Sequence, residues 1–110
     1  SGNSVVEQVE KQLNKLVEVI KVRTLTESGM IGRELMILKV NANAKTRESI
    51  MTICQICGAR VADLSPTSMT MELADTPDRV NAFEELMRPF NILEVARTGM
   101  IALQKGGGKI

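Results

Sequence analysis

Cys54-Gln55-Ile56-Cys57 is the spacing in this chain that could carry reactive chemistry, as a redox dithiol or as half of a metal site. A zinc site needs about four ligands. The chain has no histidine and no second Cys-x-x-Cys to complete one, so no metal is expected. A redox dithiol favours a helix N-terminus, where the thiolate is stabilised. These two cysteines instead close a helical pattern and lie on its apolar stripe, which points to burial in a core.

The lack of histidine also removes the usual general base and the usual Ser or Cys triad. Catalysis would then rest on carboxylates alone. Asp63, Glu72, Asp75, Asp78, Glu84 and Glu85 fall on separate predicted faces, where solvation and helix ends are their expected roles. Gly106-Gly107-Gly108-Lys109 lacks the G-x-x-x-x-G-K-[ST] spacing and the following helix of a phosphate loop, so residues 105–110 are expected to form a flexible tail. Met30, Met36, Met51, Met69, Met71, Met87 and Met100 could offer soft ligands or an adaptable surface, but most fall on predicted core faces. Arg97 stays open: inside an apolar closing strand and just before Thr98-Gly99, it could pin a loop, bind a carboxylate, or simply face water. No catalytic, cofactor-binding or metal-binding residue is assigned, and no cofactor is expected.

The elements that must position these groups follow from hydrophobic period. Val5 or Val6, Val9, Leu13, Leu16 and Ile20 recur at helical spacing, and Val17–Arg23 shifts to a period near two. The same helix-then-strand signature returns with Val80, Phe83, Leu86 or Met87 and Phe90, followed by Ile92–Arg97. An offset of about 73 residues aligns Leu13 with Leu86 and Val22 with Val95, a weak internal repeat. Residues 1–26 therefore read as the end of a module whose beginning is absent, and Glu27–Gly32 as a linker loop bounded by glycine.

Residues 33–104 give strand, helix, strand, strand, helix, strand. Arg33–Asn41 is nearly continuous in apolar residues and reads as an interior strand. Asn43 or Thr46 can cap the next helix, Ile50, Ile53, Cys54 and Cys57 form its buried stripe, Gly58 stops it, and Arg47 and Glu48 face water. Arg60–Leu64 and the alternating Ser68–Leu73 form a hairpin with one wet face. Thr76-Pro77-Asp78 opens the second helix, and Pro89 ends it. The last strand runs from Ile92 through Val95, bends near Thr98-Gly99 and continues over Met100–Leu103. This order is the split βαβ, ferredoxin-like sandwich of the α+β class: both helices on one face of a four-stranded antiparallel sheet. Ser68, Thr70 and Glu72 would line the open face.

Composition narrows the function further. A 110-residue chain with 44% hydrophobic and 25% charged residues holds one ordinary domain. A net charge of +1, with both signs evenly scattered, offers no field for a nucleic-acid backbone. Phe83 and Phe90 are its sole aromatics, so there is little to stack on bases. No apolar run reaches the roughly 18 to 20 residues that span a bilayer, and no charged-then-apolar leader is seen. A soluble chain with no nucleic-acid or membrane partner is expected. The two cysteines form no disulfide framework, which suits a reducing interior, in a cytoplasm or a plastid stroma.

Several segments together resemble the small, regulatory subunit of acetohydroxyacid synthase, also called acetolactate synthase. They are Glu10–Leu16, Arg33–Val40, the Asp63-Leu64-Ser65-Pro66 turn, Ala82–Phe90 and Glu94–Gly99, collinear over nearly the whole chain. The resemblance implies that residues 1–26 are the last helix and strand of an ACT domain and that residues 33–104 are the C-terminal ferredoxin-like domain. It implies a non-catalytic subunit that dimerises, raises the activity of a separate thiamine-diphosphate-dependent catalytic subunit, and transmits feedback by valine or related branched-chain amino acids. The family's effector pocket uses the turn after the first ACT strand and the helix that follows; neither is found in this sequence, so no effector-binding residue carries over. This chain departs from the family at Ile53–Gly58, where aromatic and basic residues are often found. A different reading of the same fold is a free-standing small-metabolite sensor.

Overall fold

The computed structural model describes residues 29–107 together with Glu7, Gln8 and Lys11. Those three early residues are helical. The rest of the helix expected over residues 5–20, the strand expected over 17–23, and residues 108–110 of the tail lie outside the described residues.

The elements run β1 (Met30–Asn41), α1 (Arg47–Cys57), β2 (Arg60–Leu64), β3 (Ser68–Asp75), α2 (Pro77–Met87), a 3-10 turn (Arg88–Phe90), β4 (Ile92–Arg97) and β5 (Ile101–Gln104). The antiparallel sheet has the order β2-β3-β1-β4, with β5 also paired to β1. That is the ferredoxin-like order expected from the pattern.

Alternation along β1 and β3 divides the sheet into two faces. Met36, Leu38 and Val40 of β1 and Met69, Met71 and Leu73 of β3 are buried. They form one core cluster with Ile50, Ile53, Cys54 and Cys57 of α1 and with Val80, Phe83, Leu86 and Met87 of α2. In register, Ile37 lies opposite Glu72 and Ala96, and Lys39 opposite Thr70 and Glu94, on the open face. Lys39 pairs there with Glu94 at 3.1 Å, and Arg60 with Glu72 at 2.7 Å.

Local chemistry sets the helix ends. The Thr76 hydroxyl accepts from the Arg79 N–H at 3.4 Å, and Pro77 takes the first helical position of α2. Gly58 closes α1 in the left-handed region at φ 77°, donating its N–H to the Cys54 carbonyl. Asn43 works three residues before the cap: its Oδ1 accepts from the Lys45 and Thr46 N–H groups, and Thr46 holds the cap position without a side-chain capping bond.

Two expectations are corrected. Arg47 does not face water: its guanidinium donates to the carbonyls of Ser65 and Pro66 at 3.0 and 2.8 Å, fastening the β2–β3 turn to the start of α1. Nor are Met30–Gly32 part of a loop. They belong to β1, because Ile101–Gln104 returns antiparallel beside them and supplies a ladder partner, with Met30 opposite Gln104 and Arg33 opposite Ile101.

Candidate functional site

The cysteine pair sits where the apolar stripe puts it. Cys54 and Cys57 are each 3% exposed and both are free thiols. Burial pushes the Cys54 thiol up to about 11, aided by the neighbouring Cys57. Burial raises Cys57 as well, with Arg79 opposing and Asp75 adding to the shift. Both shifts favour the neutral thiol over the reactive thiolate, as suits side chains packed in the core.

Of the six carboxylates singled out in the sequence, two come together: Glu84 and Glu85 share the Arg88 guanidinium. Glu72 pairs with Arg60, Asp75 with Arg79 at 3.3 Å, and Glu85 with Arg88 at 2.9 Å. Asp63 stands exposed on β2, and Asp78 lies in the first turn of α2. Among the described residues no group of three or more Cys, Asp or Glu could hold a metal ion. Of the methionines, Met36, Met69, Met71 and Met87 are core residues, while Met30, Met51 and Met100 are exposed.

Arg97 is where the structure is most specific. It closes β4 opposite Met36, on the covered side of the sheet, and shares its guanidinium between two acids. Nε and one terminal nitrogen donate to the two oxygens of Glu34 at 3.1 and 2.5 Å, a bidentate pair. The other terminal nitrogen reaches Glu84 of α2 at 3.4 Å. Glu34 is 6% exposed and also accepts the Gly99 N–H at 3.1 Å. The Arg97 hydrogen bond, with its charge and the Gly99 N–H, holds the Glu34 carboxyl below the usual carboxylate range against the opposing effect of burial. Next door, Thr98 exchanges two bonds with Leu35: Leu35 N–H to Thr98 Oγ1 at 3.1 Å, and Thr98 N–H to the Leu35 carbonyl at 3.0 Å. Gly99, at φ 81°, then turns the chain into β5.

Of the roles left open for Arg97, the structure selects loop pinning through a carboxylate within the chain. Glu34 was not singled out in the sequence. The available signal was its phase, since it stands two residues before Met36, Leu38 and Val40 and so falls on the buried face, where an acid needs a cationic partner.

Beyond this junction β1 and β5 continue as a two-stranded arm, Met30–Arg33 against Ile101–Gln104. β3 pairs β1 only from Glu34 onward and β4 only from Met36 onward, so among the described strands nothing flanks the arm. Ile31 and Leu103 face each other, as do Arg33 and Ile101, on the side that carries Leu35 and Ile37. On the opposite side Met100 fills the space over Gly32: a Cβ there would meet its sulfur at 3.0 Å. Ile101 and Leu103 are 73% exposed and Met100 57%, the largest exposures of any apolar side chains described.

A second concavity, of about 550 Å³, lies between the start of α1 and the 3-10 turn, lined by Asn41, Asn43, Thr46, Ser49, Thr67 and Asn91 among others. Asn91 takes a left-handed φ of 68° there. Its lining mixes these hydrogen-bonding groups with Lys45 and the apolar Ala42, Pro89 and Phe90, and carries no carboxylate.

The chain matches the family model described as the small subunit of acetolactate synthase over residues 33–106. It is 45% identical over 107 residues to a probable acetolactate synthase small subunit of Archaeoglobus fulgidus, covering 97% of this chain and 67% of that one. It is 43% identical over 103 residues to the chloroplastic acetolactate synthase small subunit 2 of Arabidopsis thaliana, covering 94% of this chain and 22% of that one. For the small subunit of acetolactate synthase isozyme 3 of Salmonella typhimurium the figures are 39% over 103 residues, 93% and 63%. The chain thus spans from about a fifth to two thirds of the length of these relatives. In fold it is similar to the crystal structure of the acetolactate synthase small subunit from Thermotoga maritima, with a TM-score of 0.70 at 24% identity, covering 96% of this chain and 66% of that one.

Proposed function

The chain belongs to the acetolactate synthase small-subunit family, and from that premise we propose that it acts as a non-catalytic regulatory piece, modulating a separate thiamine-diphosphate-dependent catalytic subunit and its feedback by branched-chain amino acids. The observation that carries this is the family match over residues 33–106, the segment that forms the sandwich and its arm. The side chains support it: the cysteines are packed thiols, and the buried acid Glu34 is occupied by Arg97. A surface that works by contact is what these side chains can offer.

Residues 1–26 would be the last helix and strand of an ACT domain, joined through a short connection to the ferredoxin-like domain. Two copies would associate through the open sheet face and the amphipathic residues 5–20, since a helix and strand alone bury too little apolar surface to be stable. A mass of one chain in light scattering at high concentration would remove the dimer. The cytoplasm, or the plastid stroma suggested by the chloroplastic relative, is the proposed location.

The test of function is acetolactate production by the cognate catalytic subunit, titrated with this chain with and without valine. Stimulation of the catalytic subunit is expected. No stimulation and no binding, with a full-length small subunit active in the same assay, would remove the reading for this chain.

A further inference from the structure

We infer that the β1/β5 arm is a docking element, and that it fits a protein surface which is apolar at its centre and rimmed by carboxylates. Within the proposed function, on which this identification rests, that surface belongs to the catalytic subunit.

Three observations converge. The first is apolar exposure in an element that cannot stand alone. A two-stranded ribbon is marginal in water, and exposed edges are normally blunted by charge, proline or a covering element. Here Met100, Ile101 and Leu103, with Met30 and Ile31 beside them, are all open to solvent.

The second is charge. Residues 29–33 and 100–105 carry Arg33 and Lys105 and no acid. Arg33 donates only to the neighbouring Gly32 carbonyl at 2.8 Å, and among the described residues neither cation has a carboxylate partner. The sheet's open face is different, since its Lys39 and Arg60 are already paired with Glu94 and Glu72. Lys45 and Arg47 of the body also lack a carboxylate among the described residues, but Arg47 is taken up by the Ser65 and Pro66 carbonyls. On the arm Arg33 and Lys105 flank the exposed apolar side chains, so carboxylates of a partner would complete them. Two arms meeting each other would instead bring four cations together, which argues against a second copy as the occupant.

The third is preorganisation. The arm leaves the body through Glu34-Leu35 on one strand and Arg97-Thr98-Gly99 on the other, and the Glu34–Arg97 pair and the double Thr98–Leu35 bond tie these together. A docking ribbon fixed at its base loses less conformational freedom on binding than a free loop would.

The experiment measures the dissociation constant of this chain from the catalytic subunit for the wild type, for Ile101→Ser/Leu103→Ser, and for Arg33→Glu/Lys105→Glu, with the chain's own mass followed by light scattering. The first variant is expected to weaken binding at least about tenfold. The second should weaken it at low salt and flatten its salt dependence. Neither should change the mass of the chain alone. Wild-type binding with both variants equally tight overturns the arm proposal and leaves the proposed function standing. Loss of self-association in the apolar variant, with binding to the catalytic subunit unchanged, overturns it in favour of a second copy. Failure of the wild type to bind the catalytic subunit removes both.

Discussion

One strand runs through two different worlds in this molecule. From Glu34 to Val40, β1 alternates buried and open residues under the two helices; from Met30 to Arg33 the same strand carries on paired to β5, yet no residue of it is buried. The body has β3, β4, α1 and α2 to cover the buried phase, whereas the arm has β5 alone. Apolar alternation therefore sets which side of a strand a residue takes, and burial depends on whether another layer reaches that far. Where the layers stop, the chain places a buried ion pair, and beyond it the apolar side chains are left available to something else.

The contrast is broken most severely from inside the body. Phe83, fully buried between α2 and the sheet, should cost about 3–5 kcal/mol as Phe83→Ala, read as a fall in the urea midpoint with an unchanged slope. Next comes the junction. Arg97→Met leaves Glu34 buried without its partner and should cost about 2–3 kcal/mol at neutral pH, less than a fully buried pair because the Arg97 side chain is 28% exposed. The sign with pH is distinctive. In the wild type the Glu34 pKa is lowered on folding, so its contribution is present above the ordinary carboxylate range and is lost as pH falls through the lowered value. In the variant, burial outweighs the remaining Gly99 N–H bond and raises that pKa, and protonation relieves the penalty. The gap between the two proteins in urea denaturation should therefore shrink from pH 7 toward pH 3; a constant gap would mean that the pair is not electrostatic in origin. Smaller again is Thr76→Ala, which removes the α2 cap and should cost about 1 kcal/mol in the same assay.

Legibility in the sequence divided along the same line. The core stripe of α1, the Thr76-Pro77 start of α2, the Gly58 stop and the alternation of β3 could all be read because each is a local pattern enforced by one covering layer. Arg47 was misread as solvent-facing, because its partners lie at Ser65 and Pro66, and only the packing of the β2–β3 turn against α1 brings them near. Met100–Leu103 reads as strand from the pattern, but its partner Met30–Gly32 reads as linker for a related reason: Gly29 and Gly32 look like loop punctuation, and the strand there exists because residues 68 or more positions away return beside it. Arg97 showed its importance through charge in an apolar run, but its partner Glu34 is 63 residues distant, and no local spacing names it. The exposed arm residues carried no signal at all, since Ile101 and Leu103 look identical in sequence to core positions.

The smallest expected effect is the one that separates arm from body most cleanly. Ile101→Ser/Leu103→Ser removes two large aliphatic side chains, a change that in a core would cost several kcal/mol. Both are 73% exposed, so the transfer of apolar surface on folding that they contribute is slight. Serine at both positions keeps the backbone N–H and C=O groups that pair Ile101 with Arg33 and Leu103 with Ile31. The unfolding free energy of the isolated chain should therefore change by less than about 0.5 kcal/mol per site, as for surface substitutions away from special features. A loss approaching that of Phe83→Ala would mean that these side chains are covered within the chain in solution, and the arm would then be part of the body after all.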